Sequence, residues 1–242
     1  MMNKLLRPLY LAWYLPLLTG LTILCGTVSV AASFFSTRLA RYFTNIVWSH
    51  IVLGPAGLKL AVTGLENLPS GPGGFIIFAN HNSLLDIPAL GLATRAPLTW
   101  VAKASLGRIP FFGWALARVH LLVDREGGAQ AALRLVKEAG DRLARGEVLS
   151  IFPEGTRRHG PERLLPFKKG AFILARQTQA QAVPVALKNT GALWPAGRLG
   201  PCPGLIRVRL GPPLAPAPGE KLAAFTRRAQ EALAGLLADE SW

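Results

Sequence analysis

Residues 80–86 of this 242-residue chain read Asn-His-Asn-Ser-Leu-Leu-Asp and set an imidazole and a carboxylate five positions apart. The apolar run 75–79 before them has the branched and aromatic content of a buried strand. Leu84 to Leu92 reads as the start of a helix, with Ser83 as its N-cap and Asp86 at the third helical position. His81 then lies on the turn between strand and helix. In one unbroken helix this spacing would turn the two side chains about 140° apart. Across a turn, the Asp86 carboxylate reaches back to one ring nitrogen of His81. Such a pair suits base catalysis, because the carboxylate fixes the tautomer and offsets the imidazolium charge while the other nitrogen takes a proton. A helix N-terminus also favours the ionised carboxylate. The competing structural reading is a capping Asp beside a His satisfied by backbone.

A second cluster, Phe152-Pro153-Glu154-Gly155-Thr156-Arg157, closes the apolar run 148–152. In an open α/β sheet the ligand crevice forms at the carboxyl ends of strands, so this block can face His81. Arg157 offers a planar fork for a phosphate. Gly155 lets backbone approach a ligand, and Glu154 is placed to orient Arg157 or bind a substrate hydroxyl. The residues alone read first as a surface turn. Lys103 at a strand end and Lys168 would add positive charge to the crevice, whereas Arg108 and Lys169 read as solvated or membrane-facing.

These segments resemble the motifs of the glycerolipid acyltransferases, the family of the bacterial 1-acylglycerol-3-phosphate acyltransferases. His81 and Asp86 match its histidine–four residues–aspartate motif, and Glu154-Gly155-Thr156-Arg157 its second hallmark. Lys103 through Leu106, Pro110 and Gly113 resemble the intermediate motif, and Val183-Pro184-Val185 the last. The likeness runs in order from about Val62 to Leu210; each motif is weak alone. It implies that Glu154, Gly155, Thr156 and Arg157 help bind the glycerol phosphate, that Pro184 lies near the substrate site, and that two N-terminal helices dock on a membrane. Pro184 itself reads as the point where an edge of the last sheet motif turns, and Arg158 stands where many relatives carry serine.

Composition narrows the partners. Half of the residues are hydrophobic, and Lys and Arg exceed Asp and Glu to give a net charge of +14. That combination suits work against an anionic phospholipid surface. Nucleic acid is the rival for the charge, but no helix-turn-helix, zinc-finger or RNA-recognition signature occurs and the basic residues are spread along the chain. Two distant cysteines, Cys25 and Cys202, build neither a disulfide framework nor a zinc spacing. The four histidines, at 50, 81, 120 and 159, form no metal motif. No metal or cofactor is expected beyond the activated acyl donor.

Between Pro8 and Thr37 no charged residue occurs. If helical, this stretch is about 45 Å long against a hydrocarbon core of about 30 Å. Pro16 should kink it, and Gly20 and Gly26 should weaken it. A cleaved signal peptide, a single span and a membrane-embedded hairpin all compete. Lys4 and Arg7 before it, with Arg38 and Arg41 after it, leave the charge rule without a vote. Arg38 to Leu58 reads as an interfacial helix or the second helix of a pair, and attachment without crossing is the favoured reading. Beyond the break at Gly54-Pro55-Ala56-Gly57, strands are expected at 59–63, 75–79, 98–102, 119–123, 148–152, 182–187 and 205–210. Helices are expected at 128–145 (Leu133, Val136 and Leu143 inward), 172–176 and 221–237. The alternation argues an α/β fold with a largely parallel sheet flanked by helices. The division is 1–57, membrane-docking hairpin, and 58–242, acyltransferase domain.

The expected reaction moves an acyl group from acyl-carrier protein or coenzyme A to the free sn-2 hydroxyl of 1-acylglycerol-3-phosphate, forming phosphatidate. His81 acts as base and Asp86 orients it; Arg157 and Lys103 hold the phosphate. The expected location is the cytoplasmic face of the cell membrane. Another lysolipid, including an amino-acid lysolipid, is the alternative acceptor. A serine lipase or thioesterase using Ser83 lacks the Gly-x-Ser-x-Gly elbow. A non-catalytic module that binds anionic lipid is opposed only by the intact His81/Asp86 pair.

Overall fold

A computed structural model describes residues 6–124, 128–157 and 164–240. Lys4, Arg158 and His159 lie outside the described residues. The strands β1 (Leu58–Thr63), β2 (Ile76–Ala79), β3 (Thr99–Lys103), β4 (Leu121–Val123), β5 (Leu149–Ile151), β6 (Ala182–Lys188) and β7 (Gly204–Leu210) form one seven-stranded sheet, ordered β1-β7-β6-β2-β5-β3-β4. Neighbours run parallel except β6 and β7. The helices are α1 (Leu6–Ser33), α2 (Thr37–Tyr42), α3 (Trp48–Leu53), α4 (Asp86–Thr94), α5 (Phe112–Val119), α6 (Gly128–Ala144), α7 (Gly170–Thr178), α8 (Thr190–Leu193) and α9 (Leu222–Ala238). Parallel strands need crossovers, and α4 to α7 supply them from β2 to β6.

The sheet is buried on both faces, and the two-residue period of a strand divides its side chains between them. Ile77 and Ala79 of β2 join Val183, Val185 and Ile206 against α3 and α4. Ile76 and Phe78 join Leu149 and Ala186 against α6, α7 and α9. The turn after β2 is thereby anchored in two cores at once.

Three expectations need correction. Leu133 points to solvent, while Ala139 and Leu143 are buried and Leu135 and Val136 pack against that core. The inward stripe of α6 starts two residues later than the leucine suggested. Pro184 marks no sheet edge; it sits within β6, between β2 and β7. Its carbonyl accepts from Gly211 N at 2.9 Å, so its missing N–H falls where the β6–β7 ladder ends. α5 and the 3₁₀ turn Ala104–Arg108 occupy a stretch to which the sequence assigned no element.

The N-terminal helices form the expected pair. α1 runs through Pro16, turns at 34–36, and continues into α2, a π-helical turn at Phe43–Val47, and α3. The pair is antiparallel: Tyr14 Oη donates to Val52 O (3.0 Å), Trp48 Nε1 to Thr22 Oγ1 (3.1 Å) and Ser29 Oγ to Ala40 O (3.0 Å). α1 also touches the α/β domain near both ends. Arg7 Nη2 donates to Leu199 O at 2.9 Å, and Arg118 Nε donates to Ser33 Oγ at 2.9 Å. Its length and composition suffice to cross a membrane, yet its most apolar window is only 22% buried in the protein. An outward apolar face remains.

Candidate active site

Asn80 ends β2 and fixes the turn beyond it. Its amide donates to Leu187 O (2.9 Å) and accepts from Leu187 N (2.8 Å), so a buried side chain mimics one rung of the ladder to β6. The chain then turns through His81. The N-cap expected at Ser83 is not there: α4 starts at Asp86, and Ser83 Oγ accepts from Leu85 N while donating to Trp194 O. Asp86 takes over the turn. Its Oδ2 accepts from Asn82 N (2.6 Å) and Ser83 N (2.8 Å), and lies 2.8 Å from His81 Nδ1. This fully buried carboxylate, facing Nδ1, fixes the ring's orientation and tautomer. Nε2 is left as the acceptor nitrogen of the ring.

The ring is also held by its face. It stacks on Phe152, centroids 4.0 Å apart at 9°, and Phe152 stacks in turn on Trp100 at 5.8 Å and 21°. Trp100 Nε1 donates to Asn45 Oδ1 at 2.6 Å, inside the π-helical turn of the N-terminal hairpin. Asn45 can accept only because its own amide donates to Arg41 O (2.8 Å) and Leu98 O (2.9 Å). Sequence reasoning gave neither Asn45 nor Trp100 a role. Their partners are distant in the chain, and no local pattern marks them.

Glu154 is buried rather than open to a ligand. Its Oε1 accepts from His81 N (3.0 Å) and its Oε2 from Leu165 N (2.9 Å). It ties the turn after β5 to the His81 turn. Gly155 follows at φ +70°, where a β-carbon would be strained and would meet Lys168 Cε and Nζ within 2.8 Å. Lys168 therefore lies along the Glu-Gly-Thr-Arg turn.

A cavity of about 330 Å³ opens before His81, and Lys103, Phe152, Gly155, Thr156 and Arg157 line it with Thr44 and Trp48 of the hairpin. Thr156, Arg157 and Lys103 are exposed at its rim. A second cavity of about 570 Å³, walled by Leu135, Val136, Ala139, Ile151, Ala171 and Leu174, adjoins it through Val101, Ala102, Phe152 and Gly155. Lys168 lines only this second space. Arg108 and Lys169 line neither and are exposed, as expected. Ser83 is buried and does not line the cavity before His81.

His120 completes the wall. Trp100 N donates to its Nδ1 at 3.2 Å, so its Nε2 carries the proton towards Thr44 Oγ1 at 3.1 Å. Burial, reinforced by the Arg41 and Arg142 cations, pushes its pKa down to about 3. It is a neutral fixture. Arg41 itself, buried, lies 3.0 Å from Glu147 Oε2 and links α2 to the loop before β5.

A dyad and a cation-rimmed crevice recur on unrelated folds, so the decision falls to the chain as a whole. The family model described as Acyltransferase matches residues 59–188, more than half of it. The chain belongs to the acyltransferase family. Among curated acyltransferases, the 1-acyl-sn-glycerol-3-phosphate acyltransferase of Saccharomyces cerevisiae is 40% identical over 177 residues, 70% of this chain and 57% of its own length. That of Pseudomonas aeruginosa is 34% identical over 176 residues, 72% of this chain and 63% of its own. The chain thus spans less than two thirds of either relative. A solved acyltransferase, the 1-acyl-sn-glycerophosphate (LPA) acyltransferase PlsC from Thermotoga maritima, matches over the full length of both chains with a TM-score of 0.80 and 26% identity.

Proposed function

We propose that this acyltransferase moves a fatty acyl group from a thioester to the free sn-2 hydroxyl of 1-acylglycerol-3-phosphate. The observation that carries the reading is His81: Nδ1 is pinned by buried Asp86, and the ring lines a crevice that also holds Arg157 and Lys103. Nε2 takes the hydroxyl proton as the alcohol oxygen attacks the thioester carbonyl. The tetrahedral intermediate collapses, the carbon–sulfur bond breaks, and the imidazolium returns the proton to the leaving thiolate. Asp86 offsets the imidazolium charge meanwhile. Arg157 and Lys103 hold the phosphate, with Thr156 at the same rim, so that the hydroxyl meets Nε2. Glu154 serves by fixing the two turns rather than by touching substrate, and Gly155 and Lys168 shape the turn that presents Arg157. The adjoining cavity, largely apolar, has the chemistry to take an acyl chain.

The thioester partner is acyl-carrier protein or coenzyme A, and no other cofactor enters. The hairpin rests on an anionic membrane at the cytoplasmic face, forming the unit 1–57 beside the domain 58–242. Attachment without crossing is supported by contacts from near both ends of α1 to the α/β domain, since a helix so held does not also traverse a bilayer. A Ser83 nucleophile has no support, its hydroxyl being spent on Trp194 O.

Purified protein incubated with acyl-carrier-protein and coenzyme A donors against a panel of lysolipids tests the reading. Wild type should acylate 1-acylglycerol-3-phosphate, and His81→Ala should lose on the order of 10²–10⁴ in rate. Transfer that survives His81→Ala undiminished, or acylation confined to another lysolipid, overturns it.

A further inference from the structure

From the loop after β3 into the first turn of α5, the chain turns large apolar side chains outward. Ile109, Phe111 and Trp114 are 44%, 38% and 51% exposed. The backbone there is strained. Phe111 has φ +62° and ψ −63°, and Phe112 N donates to Pro110 O at 2.7 Å. That is a γ-turn of the rare non-inverse kind, adopted here by a bulky residue. Strained turns persist where the surroundings over-determine them, and they gather at functional places. Here the surroundings are α1: a β-carbon at Gly26 would lie 3.0 Å from Phe111 O, so any larger residue there would press on the turn.

The segment continues the hairpin's own apolar tip. Phe111 packs on Trp114 with centroids 5.1 Å apart, and the Arg118 guanidinium lies 4.1 Å above the ring of Phe34. Lys103, Arg108 and Arg118 are exposed around this surface. On its inner side, Leu106 and Phe112 line the crevice that holds His81. An aromatic wedge rimmed by cations has the composition that seats in an anionic lipid interface.

We propose that Ile109, Phe111 and Trp114 form a second membrane-inserting element, seated in an anionic phospholipid leaflet beside the mouth of the crevice. A lysolipid then passes sideways from the leaflet to His81 without crossing water. This rests on the membrane attachment proposed above and adds a contact made by the α/β domain itself.

The experiment uses the full chain and vesicles of phosphatidylcholine with phosphatidylglycerol, one set carrying brominated acyl chains. Trp114 fluorescence, taken as the difference between wild type and Trp114→Phe, should be quenched by the brominated set. Ile109→Ser/Trp114→Ser should partition at least about ten-fold more weakly. It should be slowed several-fold on vesicle-borne lysolipid, yet match wild type on a short-chain lysolipid below its micellar concentration. Both positions are exposed, so the variant should keep its melting temperature. Wild type that fails to bind these vesicles overturns the attachment reading and the wedge together. Wild type that binds, and is released by Phe34→Asp/Phe35→Asp, while Trp114 stays unquenched and Ile109→Ser/Trp114→Ser binds normally, overturns the wedge alone.

Discussion

Asp86 and His81 share one hydrogen bond but stand in different circumstances. The ring touches Asp86 by one nitrogen and Phe152 by one face, and its side chain is 14% exposed. Removing it leaves the turn intact. The carboxylate, fully buried, also holds the backbone N–H groups of Asn82 and Ser83. Asp86→Ala would leave both of those N–H groups without an acceptor, at about 1–3 kcal/mol for each buried group left unsatisfied. Asp86→Ala should therefore lower both turnover and thermal stability, by at least about 2 kcal/mol in a denaturant titration. His81→Ala should lower turnover alone. Equal stability losses in the two variants would show that the dyad is not built in this order.

At the scale of elements, the N-terminal hairpin and the sheet meet through polar side chains, and one of them titrates. His120 is held neutral between Trp100 N and Thr44 Oγ1, with its pKa pushed down to about 3 by burial and by two neighbouring cations. A histidine in the unfolded chain takes its proton near 6.5. Below that pH the unfolded state binds a proton that the native state refuses. The stability this site contributes is thus complete above about pH 6.5 and declines as pH falls towards 3, by roughly 1.4 kcal/mol per pH unit. Melting temperatures measured from pH 7.5 to 4.5 should show the decline, and His120→Asn, which keeps an acceptor near Nδ1, should flatten it.

The same scale shows what the sequence could carry. Strands with continuous apolar runs were legible because both faces of the sheet are covered, and the turn residues between them mark their ends. The dyad was legible because its two members lie on one local turn. Ser83 misled because its type and spacing fit a cap, while the buried Asp86 competes better for the same backbone donors. The partners of Glu154, His81 N and Leu165 N, were not legible, since they are set by the fold and not by any pattern around it. Asn45, Trp100 and the strained Phe111 were invisible for the same reason.

Across the whole molecule, a net charge of +14 accompanies an apolar hairpin whose tip residues Phe34 and Phe35 are 70% and 89% exposed. Charge and apolar surface answer to different variables. Raising salt shortens the screening length from about 10 Å at 0.1 M to about 3 Å at 1 M and leaves apolar burial intact. Binding to phosphatidylglycerol-containing vesicles should weaken steeply with added sodium chloride, down to a residual, salt-insensitive level set by the hairpin. Phe34→Asp/Phe35→Asp should remove that residue of binding, as read by co-sedimentation.

The strand order also sets a timetable. Leu58 of β1 pairs with Gly204 of β7, and β1 is an outer strand of the sheet. At about 5–20 residues per second, a ribosome delivers the greasy N-terminal helices and β1 well before it has made the strand that completes their seat. For on the order of ten seconds the nascent chain carries an apolar hairpin whose seat, begun by α4 and α5, is unfinished. A bilayer that received the hairpin in that interval would shelter it before the sheet closes.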